Sequence, residues 1–161
     1  MKKSFAFIFV LIISVAMSCE NNGQWKYYHI DKDELKGTES YDNSTYTSSN
    51  GDSFWCCSHE DYAFISLDRG IFDYDFKTQC ISVIVGFYEG KTLIEKCSTE
   101  FLVLQKGNTA MSTDLLSPGL GKKIIKHLKT KGNVRIIASK YSGSDFDITI
   151  PKNPNIKTSI L

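Results

Sequence analysis

Residues 79 to 90 read Gln-Cys-Ile-Ser-Val-Ile-Val-Gly-Phe-Tyr-Glu-Gly, and the fold class turns on them. Ile81, Val83, Val85 and Phe87 fall on one side of an extended chain, with Cys80, Ser82, Ile84 and Gly86 on the other. Period-two alternation rich in β-branched and aromatic residues predicts a strand.

The same alternation recurs on both sides. In DYAFISLDRG (61–70), Ala63, Ile65 and Leu67 oppose Tyr62, Phe64 and Ser66. TLIEKC (92–97) and EFLVLQKGN (100–108) predict two further strands, and NVRIIASKY (133–141) with FDITIP (146–151) a closing pair around Ser142-Gly143-Ser144. Near the start, Trp25 opens an aromatic strand-like run that meets a polar turn between Asp33 and Gly37, and NSTYTSSNGD (43–52) reads as a loop or hairpin on its Asn-Gly signal. One segment breaks the pattern. In SPGLGKKIIKHLKTKG (117–132), Leu120, Ile124, Ile125 and Leu128 form a stripe at helical spacing. Ser117 is the predicted cap, Pro118 the first helical residue and Gly132 the stop. These elements predict a mainly β domain, a small β-sandwich or curled antiparallel sheet with one late amphipathic helix. An α+β roll is the alternative.

The amino terminus carries an address. Lys2 and Lys3 precede an apolar run from Phe5 to Ile13, shorter than the roughly 20 residues of a membrane span. Their order matches the n-region and h-region of a secretory signal. Val15-Ala16-Met17-Ser18-Cys19 then resembles a bacterial lipobox, with small Ser18 before Cys19 and Ala16 three before it. The resemblance implies cleavage before Cys19 and a diacylglyceryl group, such as palmitate chains, on its thiol. Each buried methylene would contribute about 0.8 kcal/mol to membrane anchoring. A simple secretory signal that leaves Cys19 unmodified is the alternative. The expected organisation is a lipoprotein signal peptide over 1–18, a tether over 19–24, one β-rich domain over 25–151 and a loosely held tail over 152–161.

Charge and cysteine content narrow the classes. The whole chain has 19 basic and 18 acidic residues; without Lys2 and Lys3 the balance is 17 against 18, or −1. A nucleic-acid partner would call for a basic excess, so none is expected. Of five cysteines, the lipobox accounts for Cys19, leaving Cys56, Cys57, Cys80 and Cys97. An even set in an oxidising compartment makes them candidate disulfide partners, with buried thiols the alternative. Their spacing is not that of a zinc site.

Several clusters invite chemistry and support little. In CCSHED (56–61), a strand would put Cys57, His59 and Asp61 on one face at steps of about 6.5 Å, too long for a nucleophile and its base. His29, Asp31, Asp33 and Glu34 lack calcium-loop spacing. Asp73 and Asp75 read as turn residues. No phosphate loop, nucleophile elbow or zinc-protease motif is present, so no enzyme, cofactor or metal is expected. The lysines of the helix, Lys122, Lys123, Lys126 and Lys129, are a candidate contact to an anionic surface, each worth about 1 kcal/mol there. A solvated face is the plainer alternative. Tyr27, Tyr28, Tyr41, Tyr46 and Trp55 are candidate recognition aromatics, some of them expected in the core.

From Trp25 to Pro151, the succession of ISLDRGIFDY, QCISVIVGF, LVLQKG, KHLKTKG, VRIIASKY and FDITIP resembles a group of small exported bacterial proteins of unknown function. Some of these are described as accessories of type VI secretion. The resemblance implies a small β domain with a late helix and brings no catalytic residues. The expected function is therefore a lipid-anchored, non-enzymatic, macromolecule-binding module of the cell envelope, accessory or immunity in type. Its expected place is the outer membrane, with the periplasmic or surface side open. An envelope hydrolase using Cys57 and His59 and a purely structural surface lipoprotein are the alternatives.

Overall fold

The computed structural model describes residues 23–32, 39–58, 61–104 and 106–157. The chain folds in the order β1 (Gln24–Ile30), β2 (Tyr41–Thr47), β3 (Ser53–Cys57), β4 (Phe64–Ser66), β5 (Cys80–Glu89), β6 (Thr92–Val103), β7 (Thr109–Met111), α1 (Leu120–Thr130), β8 (Asn133–Ala138) and β9 (Phe146–Ile150). The strands form one antiparallel sheet in the order β1-β2-β3-β4-β7-β6-β5-β8-β9. The mainly β class with a late helix is therefore as expected. β1 and β9 do not pair with each other, so the sheet is open, yet residues of β3 and β9 touch across the core.

Alternation places the core. Ile81, Val83, Val85 and Phe87 on β5 are all buried, as are Ala63, Ile65 and Leu67 around β4. They meet Phe101 and Val103 of β6, Val134 and Ile136 of β8, and Ile148 and Ile150 of β9 in one cluster. The stripe of α1 closes it: Ile124, Ile125 and Leu128 are fully buried. Each such aliphatic side chain contributes roughly 1.5–3 kcal/mol on leaving water. Phe72, in the long β4–β5 connection, is fully buried with its ring 5.7 Å from that of Phe146. Beneath it, Asp52 is buried and accepts from Lys140 Nζ at 3.2 Å, joining the β2–β3 turn to the end of β8.

The helix boundaries differ from expectation at one end. α1 begins at Leu120, and its cap is Gly119 in a left-handed conformation with φ 66°. Ser117 does not cap; its hydroxyl donates to the Thr113 carbonyl at 3.1 Å in the preceding turn. At the other end Gly132 stops the helix as expected, its N–H donating to His127 O at 3.0 Å. A Cβ on Gly132 would lie 1.8 Å from the Tyr88 carbonyl oxygen, so the helix can approach β5 only with glycine there.

Two other readings are corrected and one is narrowed. TLIEKC and EFLVLQKGN are not two strands: β6 runs unbroken from Thr92 to Val103, because β5 pairs with it along its whole length. The stretch 43–52, expected as a loop or hairpin, is the β2–β3 hairpin, with Asn43, Ser44 and Thr45 already inside β2. Finally, residues 152–157 are no loose tail. Ile156 is 2% exposed in the core, Asn153 Nδ2 donates to Tyr27 Oη at 2.7 Å, and Lys157 N–H donates to Ser44 Oγ at 3.0 Å. Residues 158–161 lie outside the described residues, as do Cys19, the signal and most of the tether.

Candidate functional site

The cysteines do not form the expected bonds: among the described residues, no disulfide joins Cys56, Cys57, Cys80 or Cys97. Strand register gives the reason. Cys80 stands opposite Leu102, five residues along β6 from Cys97. At a rise of about 3.4 Å per residue the two are about 17 Å apart, far beyond disulfide reach. Between the β3 cysteines and Cys97, β4 and β7 intervene. Burial and the neighbouring Cys57 push the Cys56 thiol up to about 12, which leaves no thiolate to react near neutrality. Burial also raises Cys97, with Lys123 acting against it.

Of the hydrolase pair, Cys57 is buried at 4% exposure, and His59 lies outside the described residues. Of the acidic cluster at the end of β1, His29 and Asp31 are described. His29 Nδ1 is 2.8 Å from Asp42 and its Nε2 3.6 Å from Asp31, while Asp33 and Glu34 lie outside the described residues. The hydrogen bond to Asp42 raises the His29 pKa. Among the described residues, no three His, Cys, Asp or Glu side chains converge as a metal site. Asp75 behaves as a turn residue, accepting from the Lys77 N–H at 2.7 Å.

The aromatic candidates divide. Tyr46 is buried beneath Trp25, their rings 5.5 Å apart, and Trp55 stacks on Phe64 at 3.6 Å. Tyr27 and Tyr28 remain exposed on β1.

The lysines of α1 divide in the same way. Lys122 lies 3.8 Å from Asp61, and Lys123 pairs with Glu95 while sitting 5.1 Å over the Phe87 ring. Both therefore hold β6 and the β3–β4 connection against the helix. Lys126 is exposed and Lys129 half-buried, so the charge open to an anionic partner is narrower than the sequence stripe implied.

What the structure adds is a groove of about 270 Å³ between α1 and the β5–β6 hairpin. Phe87, Ile94 and the carboxylates Glu89 and Glu95 line the hairpin side; Lys123, Lys126, His127 and Lys131 line the other, with Glu95 paired to Lys123. His127 is buried, and because a carbonyl only accepts, its Nε2 carries the hydrogen it gives to Tyr88 O at 3.0 Å. Its ring also meets Phe87 edge-on at 5.2 Å. The β6 strand bulges here: Phe87 stands opposite Glu95 but Tyr88 opposite Leu93, so Ile94 is the extra residue. Ile94 is 54% exposed beside the lysines, while Leu93, 47% exposed, lies with Ile84 and Tyr88 in a cleft on the other face of the sheet.

Sequence reasoning passed over Leu93, Ile94 and His127. Two signals could have found them. Adjacent apolar residues in an alternating strand cannot both face inward, and His127 stands three residues after Ile124, on the buried stripe. Among the described residues, no helix is long and apolar enough to cross a membrane. No known family model matches the chain, nor does any curated protein or solved structure.

Proposed function

We propose that this chain is a lipid-anchored, non-enzymatic protein of the bacterial envelope that binds another protein through the α1–hairpin groove. Cys19 is the anchor, and an accessory or immunity-type role falls within this reading. The observation that carries it is Ile94, 54% exposed in the groove beside Phe87 and facing Lys126 and Lys131. Apolar side chains so displayed contribute to binding when a partner removes them from water. Lysines at the rim favour an acidic partner and speed its encounter. The fitting ligand is thus a protein segment with one or two apolar side chains flanked by carboxylates.

Crosslinking and mass spectrometry on intact cells test this directly. The wild-type chain is expected to capture a reproducible protein partner that the Ile94→Asp and Lys126→Glu variants lose. An unchanged set of crosslinks in both variants would remove the groove from consideration. For the anchor, Cys19→Ala is expected to move the chain from the membrane to the soluble fraction; an unmoved chain would refute it.

A further inference from the structure

β6 is a long strand with unequal edges. On one side β5 pairs with it from end to end; on the other, β7 meets only Leu102 and Val103. The direction of its backbone groups follows from two bonds. Val103 N–H donates to Gln79 O at 2.7 Å on the β5 side, and Leu104 N–H donates to Thr109 O at 2.8 Å on the β7 side. Alternate residues of a strand present their N–H and C=O to opposite edges. Leu102, Glu100, Ser98 and Lys96 therefore all aim theirs toward β7.

β7 does not continue alongside them. Its pairing with β6 ends at Met111 opposite Leu102; Ser112 N–H, on the β4 side by alternation, donates to Ala63 O at 2.9 Å, and Thr113 then opens a turn in which its carbonyl accepts from the Ser117 N–H at 2.8 Å. The main-chain groups of Lys96, Ser98 and Glu100 have no strand beside them among the described residues. A cleft of about 310 Å³ separates Cys97 to Thr99 from the loop Leu116 to Leu120 before α1. An open edge of this kind is a template for another strand.

Charge selects the strand. Lys96, Ser98 and Glu100 are exposed and share one face of β6. In an antiparallel pairing of β6 with a second β6 about a two-fold axis at Ser98, Lys96 stands opposite Glu100 of the other copy, and Glu100 opposite its Lys96. Both cross-strand pairs are then attractive. Shifting the axis to Cys97 sets Lys96 against Ser98 and Ile94 against Glu100; shifting it to Lys96 sets like charges together. β7 blocks pairing beyond Glu100, so only the Ser98 register uses both charges. We propose that the free edge of β6 pairs with β6 of a second copy in this register, joining two nine-stranded sheets into one. The inference is independent of the groove and of the anchor.

Sedimentation of the full chain in mild detergent, over a range of concentrations, tests it. A reversible monomer–dimer equilibrium is expected. Lys96→Glu and Glu100→Lys, each turning two attractive pairs repulsive, should each weaken it about tenfold, and the double exchange should restore it. Ser98→Pro removes an N–H that has no partner among the described residues and is tolerated on an edge. It should abolish the dimer while leaving unchanged the circular dichroism spectrum and the melting temperature measured at concentrations where the wild type is itself monomeric. A chain that stays monomeric at every concentration overturns the proposal, even if it takes up a foreign extended peptide. So does a dimer indifferent to Ser98→Pro, or one the double exchange fails to restore.

Discussion

β5 and β6 are consecutive, joined through Gly90 and Lys91, and both are long, yet their surroundings are opposite. β5 lies between β6 and β8, and its residues Val83, Val85 and Phe87 are buried. Apart from half-buried Cys97 and Thr99, the first nine residues of β6 are exposed, although Leu93 and Ile94 are as apolar as anything on β5. The difference is one of neighbours. A strand flanked on both edges and covered by α1 buries every inward side chain; one flanked on a single edge, reached from the helix only at the exposed Lys123–Glu95 pair, does not. Composition is therefore a poor guide to which apolar residues stabilise this fold.

Four substitutions or titrations can break or sharpen that contrast. The largest effect is expected at Phe87, which packs beneath both Lys123 and His127. Phe87→Ala should cost about 3–5 kcal/mol in a denaturant titration. A loss under 1 kcal/mol would mean that α1 is not held through this ring. Next comes Gly132→Ala. Its new Cβ meets the Tyr88 carbonyl, a backbone atom that cannot swing aside, and about 1–3 kcal/mol should be lost. Thermal melting measures it, and an unchanged midpoint would show that the helix end is free to move.

Leu93→Ser is the counterpart on β6. With nearly half its surface already in water, the change should stay within about 0.5 kcal/mol, despite removing a larger apolar group than many core substitutions do. A loss like that at Phe87 would show that Leu93 is covered in solution. The smallest effect belongs to His29. Its hydrogen bond to Asp42 raises its pKa above 6.5 in the folded chain, so the folded state holds the proton more tightly. The stabilisation is complete below pH 6.5 and fades as pH rises through the raised folded value. NMR titration of the imidazole should show the elevation, and Asp42→Asn should bring it back toward 6.5. A curve that does not respond to Asp42→Asn would assign the shift elsewhere.

Parts of this architecture are written along the chain in a form that needs no folding to read. Val83 and Val85, or Ile124 and Leu128, mark their elements because a strand repeats every two residues and a helix every 3.6, and burial on one face requires that spacing of apolar groups. Other parts invert the local signal. Ser117 has the chemistry of a cap, but the turn from Thr113 engages its hydroxyl first. Asn153 and Ile156 follow prolines and polar residues that read as a tail, and only the arrival of Tyr27 and the core from far along the chain gives them partners.

The sequence by itself thus determined the mainly β class, the inward faces of β4 and β5, the helix and its glycine stop, because these depend on periodicity within a few residues. Tertiary structure alone decided that the cysteines stand apart, that two of the lysines are engaged, and that Leu93, Ile94 and the edge of β6 are left open. Register and strand order bring together or separate residues tens of positions apart, and no local period records which neighbour a strand will find.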